Sequence, residues 1–307
     1  MARLVLRRGG LALATAVGVL TLVIALLRAI PGDPVDAMLG ERATAADRAE
    51  LRSALGLDRP AWSELAARAA GLARGDLGRS IATGDPVASL LAARYPATLE
   101  LAAAALAAAL AIGVPIGIAA AARPGGRADR ASLAFATFAA AMPTFALGPL
   151  LLLAFAVEVP WFPVAGRSGP ASVVLPALTL GLGMAAVLAR QLRAALAAAL
   201  SRDFARAARA RGASRVRLVA GHGLRNAATP AIAVLAVQIG GLLAGAVVTE
   251  TVFAWPGIGR LLVQAIGARD YPVVQGCALA IALTFVGVSL VADLLQAWVD
   301  PRLRAAR

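Results

Sequence analysis

The sequence predicts an all-α membrane protein with six transmembrane helices, and three observations carry that prediction. The 307-residue chain is 60% hydrophobic and only 15% charged, against roughly 25% charged in soluble domains. Six stretches with little or no charge approach the ~20 apolar residues that a helix needs to cross the hydrocarbon. The basic side chains, all arginine apart from His222, flank those runs. The net charge of +13 therefore speaks for membrane orientation and against nucleic-acid binding, which needs a clustered basic face on a soluble domain.

In chain order the apolar runs cover about 11–30, 98–122, 131–157, 171–190, 228–249 and 272–295. Arg3, Arg7 and Arg8 ahead of the first run suit a signal peptide, but Leu11–Leu27 exceeds its usual apolar length and no small-x-small cleavage site follows. A retained first helix is expected. No charge interrupts Leu101–Ala122, where a soluble helix of that length would need a polar face. Gly113-x-x-x-Gly117 and Gly241-x-x-x-Gly245 allow helix backbones to approach closely. Ordinary helix packing is the plainer reading of these glycines, and a pathway through the membrane is the alternative. Pro115, Pro143 and Pro176 interrupt the hydrogen-bond ladder within the runs.

Arginine asymmetry sets the expected topology, with both termini cytoplasmic. Three regions follow: residues 1–30, an N-terminal tip and first helix; 31–97, an extracytoplasmic segment; and 98–307, a five-helix core. Within the core a cytoplasmic loop at about 193–227 carries eight arginines from Arg193 to Arg225. In segment 31–97 eight acidic residues, from Asp36 to Asp85, offset the arginines. Thr44 with Asp47 predicts a capped short helix stopped at Gly56, and a second short helix is expected from Pro60 to about Leu72.

The composition also excludes chemistry. His222 and Cys277 are the only residues of their kinds, so neither an intrachain disulfide nor a Cys/His zinc cage can form. A P-loop needs a lysine, and the chain has none. No catalytic residue, metal site or cofactor is expected, and energy for transport must come from another polypeptide or an ion gradient.

The informative stretch is Ser201-Arg-Asp-Phe-Ala-Arg-Ala-Ala-Arg-Ala-Arg-Gly212-Ala-Ser-Arg-Val-Arg-Leu218. Ser201 is expected to cap a short helix whose first turn holds Asp203, the right sign for a helix N-terminus. Phe204, Ala207 and Ala208 are expected on one face and Arg202, Arg206 and Arg209 on another. Gly212 suits the left-handed position that ends a helix, and Ser214 can cap the next. The residues describe a helix–glycine turn–helix at the membrane surface. On pattern alone, docking to a partner and a basic loop obeying the positive-inside rule both fit.

Ala207-Ala208-x-x-x-Gly212 resembles the EAA loop of ABC importer permeases, the element that seats in a groove of the ATPase subunit. Asp203-Phe-Ala-Arg-Ala-Ala-Arg-Ala-Arg-Gly-Ala-Ser214, followed by His222-Gly-Leu-Arg-Asn226, is similar to the variant in dipeptide, oligopeptide and nickel permeases. It departs from the general pattern in having Arg206 for the leading Glu and His222-Gly-Leu-Arg225 for Ile-x-Leu-Pro. The resemblance spans nearly the whole chain: Pro31-Gly-Asp-Pro34, Gly56-Leu-Asp58, Gly75-Asp-Leu-Gly-Arg-Ser80, Thr98-Leu-Glu-Leu101, Met142-Pro-Thr-Phe145, Leu175-Pro-Ala177, Glu250-Thr-Val-Phe-Ala-Trp-Pro-Gly-Ile-Gly259, Arg269-Asp-Tyr-Pro-Val274 and Asp300-Pro-Arg302 occur in order.

The resemblance implies a type I ABC importer permease fold (MetI-like core) in the bacterial or archaeal inner membrane. It implies four kinds of neighbour: the lipid bilayer, a second homologous permease, two ABC ATPase subunits and an extracytoplasmic solute-binding protein. Transport would proceed by alternating access on peptides, nickel complexes, opines or glutathione-like solutes. It assigns the ATPase-coupling role to Asp203, Phe204, Arg206, Ala207, Ala208, Arg209, Gly212 and Ser214. Glu250, Trp255 and Asp270, at the expected outer ends of the last two spans, are candidates for contact with the pathway or the binding protein, against a plainer role in anchoring a turn. The competing class is an ion-coupled secondary transporter, which places ionisable residues near mid-membrane; these spans have almost none.

Overall fold

A computed structural model describes residues 2–29, 44–46 and 60–299. The helix expected from Thr44 and Asp47 to Gly56 and the motifs Pro31–Pro34, Gly56–Asp58 and Asp300–Arg302 lie largely or wholly outside those residues. The helices are α1 (Ala2–Ala29), α2 (Ala61–Ala73), α3 (Val87–Ala122), α4 (Arg127–Ala141), α5 (Thr144–Leu152), α6 (Val174–Ser201), α7 (Asp203–Ala210), α8 (Leu224–Val252), α9 (Ile258–Gly267) and α10 (Tyr271–Val299). π-helical turns continue α5 over Leu153–Glu158 and precede α8 over Leu218–Gly223. Among the described residues, β structure is limited to one isolated bridge between Arg79 and Pro86.

Four helices are long and apolar enough to cross a membrane, and six segments qualify if each of two bent pairs is one span. The six coincide with the apolar runs, with three departures. The run at 131–157 is broken: α4 and α5 meet at 101°. Proline pushes its predecessor out of helical geometry, and Met142 is extended (φ −88°, ψ 113°) before Pro143 starts α5. Pro143 lacks an N–H, which costs nothing at a helix start, and its carbonyl accepts the Ala146 and Leu147 N–H groups. The second departure is that α3 begins at Val87, well before the expected 98, because Val87 and Leu91 are apolar anchors buried in a core. The third is that α6 continues past 190 to Ser201, carrying Arg190 and Arg193 inside a helix.

The chain divides into two compact units. Residues 1–98 and 256–286 form the first. Its core gathers Leu27 of α1, Val87 and Leu91 of α3, Ile258 and Ala265 of α9, and Val273, Val274 and Cys277 of α10. Gly276 lets α10 lie against Val87: a Cβ there would stand 2.5 Å from Val87 Cγ1. The Thr98 hydroxyl oxygen accepts the Ile258 N–H at 2.8 Å, satisfying an orphan donor at the start of α9. Glu64 of α2 accepts from Arg28 (2.9 Å) and from the Gln275 amide (3.2 Å), tying α2 to α1 and α10.

Residues 99–255 and 287–307 form the second unit, in which α6 is largely buried. Its contact with α3 depends on glycine. A Cβ on Gly113 would meet the Ala185 carbonyl oxygen at 2.7 Å, one on Gly117 the Ala189 oxygen at 2.9 Å, and one on Gly181 the Ala105 oxygen at 2.8 Å. The Gly113–Gly117 pair is thus a close backbone crossing, as small-x-x-x-small patterns favour. The second pair differs: Gly245 faces Leu180, whereas among the described residues nothing lies within 4 Å of a Cβ on Gly241.

Candidate functional site

The helix–turn–helix predicted around Gly212 forms within the second unit. α7 ends at Ala210, and Gly212 takes φ +81°. The Gly212 N–H donates to Arg209 O (2.9 Å) and the Ala213 N–H to Ala208 O (3.0 Å), which is the Schellman pattern. Ser214 then starts the next turn: its hydroxyl oxygen accepts the Arg217 N–H at 3.4 Å and its carbonyl the Leu218 N–H at 3.0 Å. The hairpin is held by a small core of Ala205, Ala208 and Leu218, backed by Leu200, Phe204 and Ala213.

Two local expectations change. Ser201 does not cap α7; as the last residue of α6 its hydroxyl donates to Ala198 O at 2.9 Å, and Arg202 stands at the N-cap without a side-chain bond. The inward face is Ala205 and Ala208, buried, with Phe204 half-buried, while Ala207 is exposed with Asp203, Arg206 and Arg209. A short α7 leaving α6 through an extended Arg202 (ψ 161°) turns the face by about one residue, and sequence periodicity over eight residues does not fix that phase.

The exposed side carries charge in a defined arrangement. Arg206 Nη1 lies 3.4 Å from Asp203 Oδ1, an open pair of little energetic weight. Arg209 Nη2 donates to Leu200 O at 2.9 Å, satisfying a carbonyl at the end of α6. Beside them runs a groove of about 600 Å³, bordered by Ala121, Pro124, Leu200, Arg206, Arg209 and Leu218. The surface is a small-residue ledge flanked by arginines, suited to a partner that offers acidic groups around a shallow cleft.

Sequence reasoning does not pair the residues that tie α4 to α6, the helix leading into the hairpin. Asp129, in the first turn of α4, is buried and receives both Nε and Nη2 of Arg193, two turns before the end of α6; the Nη2 contact is 2.8 Å. Its Oδ2 also accepts the Gly125 N–H at 2.8 Å. Paired this way, Arg193 can sit inside a largely apolar helix. No local motif announces the pair, because its members lie 64 positions apart.

Glu250, Trp255 and Asp270 lie at helix ends. Glu250 and Trp255 are fully buried in the second unit, where the Trp255 N–H donates to Glu250 O (2.8 Å) in the turn ending α8. Ala254 takes φ +50° in that turn, a left-handed conformation that costs a non-glycine residue about 1–2 kcal/mol. In the first unit, Arg269 (φ +55°) ends α9 in the same way, with the Asp270 N–H on Ala265 O. The buried Asp270 carboxylate accepts the Ser80 hydroxyl, the Ile81 N–H (3.0 Å) and the Ala82 N–H (3.3 Å). Asp270 therefore pins the 78–86 loop to the α9–α10 turn.

Residues 113–305 match the family described as "Binding-protein-dependent transport system inner membrane component". Over the full length of both proteins the chain is 38% identical to the di/tripeptide transport system permease protein DppB of Pseudomonas aeruginosa (strain UCBPP-PA14). It is 38% identical to the dipeptide permease DppB of Escherichia coli (strain K12), covering 99% of each. The glutathione transport system permease GsiC of the same strain is 39% identical over 92% of each chain. Two inward-facing structures of the MetNI methionine ABC transporter share the fold, with TM-scores of 0.55 and 0.58, 20% identity, and coverage of 69% of this chain and 96% of theirs. Six apolar segments and this ancestry place the chain in the membrane, as the permease component and not the ATPase. The chain belongs to the binding-protein-dependent transport system inner membrane component family, the permease subunits of ABC importers, which work with ATPase subunits and a solute-binding protein.

Proposed function

We propose that this chain is one of two homologous membrane subunits of an importer for short peptides or peptide-like solutes of glutathione size, and that the hairpin from Asp203 to Arg217 is its dock for an ATPase subunit. The cargo class rests on likeness to the DppB and GsiC permeases. The dock rests on one observation above all: a Schellman-closed hairpin that buries Ala205 and Ala208 while presenting Asp203, Arg206, Ala207 and Arg209. Small exposed residues admit close approach of a partner backbone, and the arginines supply electrostatic steering. In this reading both termini and the hairpin are cytoplasmic, the segment around 31–97 faces outward, and nucleotide-driven closure of the ATPases moves the hairpin to alternate access. The buried hydrogen bonding of Asp270 and the full burial of Glu250 and Trp255 support an anchoring role for these three.

Gly212→Val tests the dock. Among the described residues nothing lies within 4 Å of a Cβ there, so the added cost is backbone strain at φ +81° and not a clash. The variant is expected to insert and to fold elsewhere, yet to lose uptake of a labelled dipeptide and co-purification with the ATPase. Normal uptake by the inserted variant contradicts the docking role.

A further inference from the structure

α4 is bounded at both ends by residues suited to hinges and packs along α6. At its start Gly125 (φ +76°) and Gly126 form the turn that leaves α3, and at its end the chain is extended through Met142 before Pro143. Its buried face is Asp129, Ser132 and Ala136. The Asp129–Arg193 pair is bidentate, with the Asp129 side chain only 8% exposed, and α6 runs on from Arg193 through Leu196 and Leu200 into the hairpin. Leu200 packs on the hairpin core and Leu196 lies against Gly223 just beyond it. A bidentate guanidinium–carboxylate contact fixes direction as well as distance, which a lysine or an apolar contact does not.

We propose that Asp129 and Arg193 are positioning residues for transport: they latch α4 to the stem of the hairpin, so that displacement of the hairpin carries α4 with it as a rigid lever and is absorbed at Met142–Pro143. This rests on the hairpin being the ATPase dock. The glycine turn lets α4 pivot, the 101° break gives α5 its own direction, and the ion pair is a polar, geometrically specific contact between lever and stem. Loss of the pair removes the directional contact, and the remaining packing of Ser132 and Ala136 lets α4 and the stem shift against each other.

The test uses the whole importer, with its second permease, ATPases and binding protein, in proteoliposomes. Cysteines replace Ala131 on α4 and Ala210 on α7, both exposed; the native Cys277 is buried and does not compete for spin label. In the unmodified background the distance between the labels is expected to agree within about 2 Å between nucleotide-free and ATP–vanadate-trapped states. In Asp129→Asn it is expected to change by more than that, with dipeptide uptake down about tenfold while ATP hydrolysis continues. A changing distance in the unmodified importer, or unchanged distance and uptake in Asp129→Asn, overturns the latch. Should Asp129→Asn fail to assemble, Arg193→Lys decides: it keeps the charge but not the fork, and uptake equal to that of the unmodified importer overturns the proposal. If Gly212→Val transports normally, the docking reading fails; if Gly212→Val uncouples and the latch variants do not, only the latch fails.

Discussion

Replacing Gly113 by alanine sets a methyl group against the backbone of α6. The new Cβ would stand 2.7 Å from the Ala185 carbonyl oxygen, 3.1 Å from its Cα and 3.3 Å from its carbonyl carbon. A relaxed carbon–oxygen contact is about 3.3 Å or longer, so α3 and α6 must part by about 0.6 Å at this point. The neighbouring contacts, Gly117 on Ala189 and Gly181 on Ala105, are in the same crossing and loosen with it. Backbone atoms cannot swing aside as a side chain would, and overpacking of this kind costs about 1–3 kcal/mol. Gly183→Ala provides the control: it is on α6, the other helix of the crossing, and among the described residues nothing lies within 4 Å of its added Cβ. Thermal unfolding of the purified chain in one detergent is expected to show Gly113→Ala clearly destabilised and Gly183→Ala unchanged or slightly stabilised. Equal behaviour of the two variants would refute the close crossing as the origin of the effect.

Two further outcomes follow from hydrogen bonding and backbone conformation. Asp270→Asn weakens acceptance from Ser80, Ile81 and Ala82, so amide exchange at Ile81 and Ala82 is expected to quicken by about tenfold with little change at α6, as seen by hydrogen–deuterium exchange. Ala254→Gly removes the left-handed cost at φ +50°, which exceeds the loss from glycine's freedom in the unfolded chain, and is expected to raise stability by up to about 1 kcal/mol in the same unfolding assay.

Much of the architecture was readable because it rests on local signals. Apolar length located six membrane segments, a glycine marked the left-handed turn at 212, and Ser214 marked the next helix start. The failures have physical causes. Pro143 was visible, but whether a membrane proline kinks a span mildly or breaks it depends on the packing around it, and here the two halves diverge by 101°. The start of α3 at Val87 was hidden because Arg94 and Tyr95 interrupt the apolar run, while Tyr95 is in fact held by Thr284 through hydroxyls 2.6 Å apart. α6 outran its apolar stretch because Arg193 finds Asp129 on another helix. The phase of α7 and the anchoring of Asp270 to Ser80 likewise depend on partners remote in sequence. The π-helical turns at Leu153–Glu158 and Leu218–Gly223 carry no residue signature that periodicity would register.

Photo-crosslinking from the hairpin in the intact importer tests the central claim most directly. A benzophenone side chain at Ala207, which is exposed, is expected to capture an ATPase subunit, while one at Asp85, exposed in the loop pinned by Asp270, captures none. Capture of the ATPase from Asp85, or of the solute-binding protein from Ala207, would contradict the account.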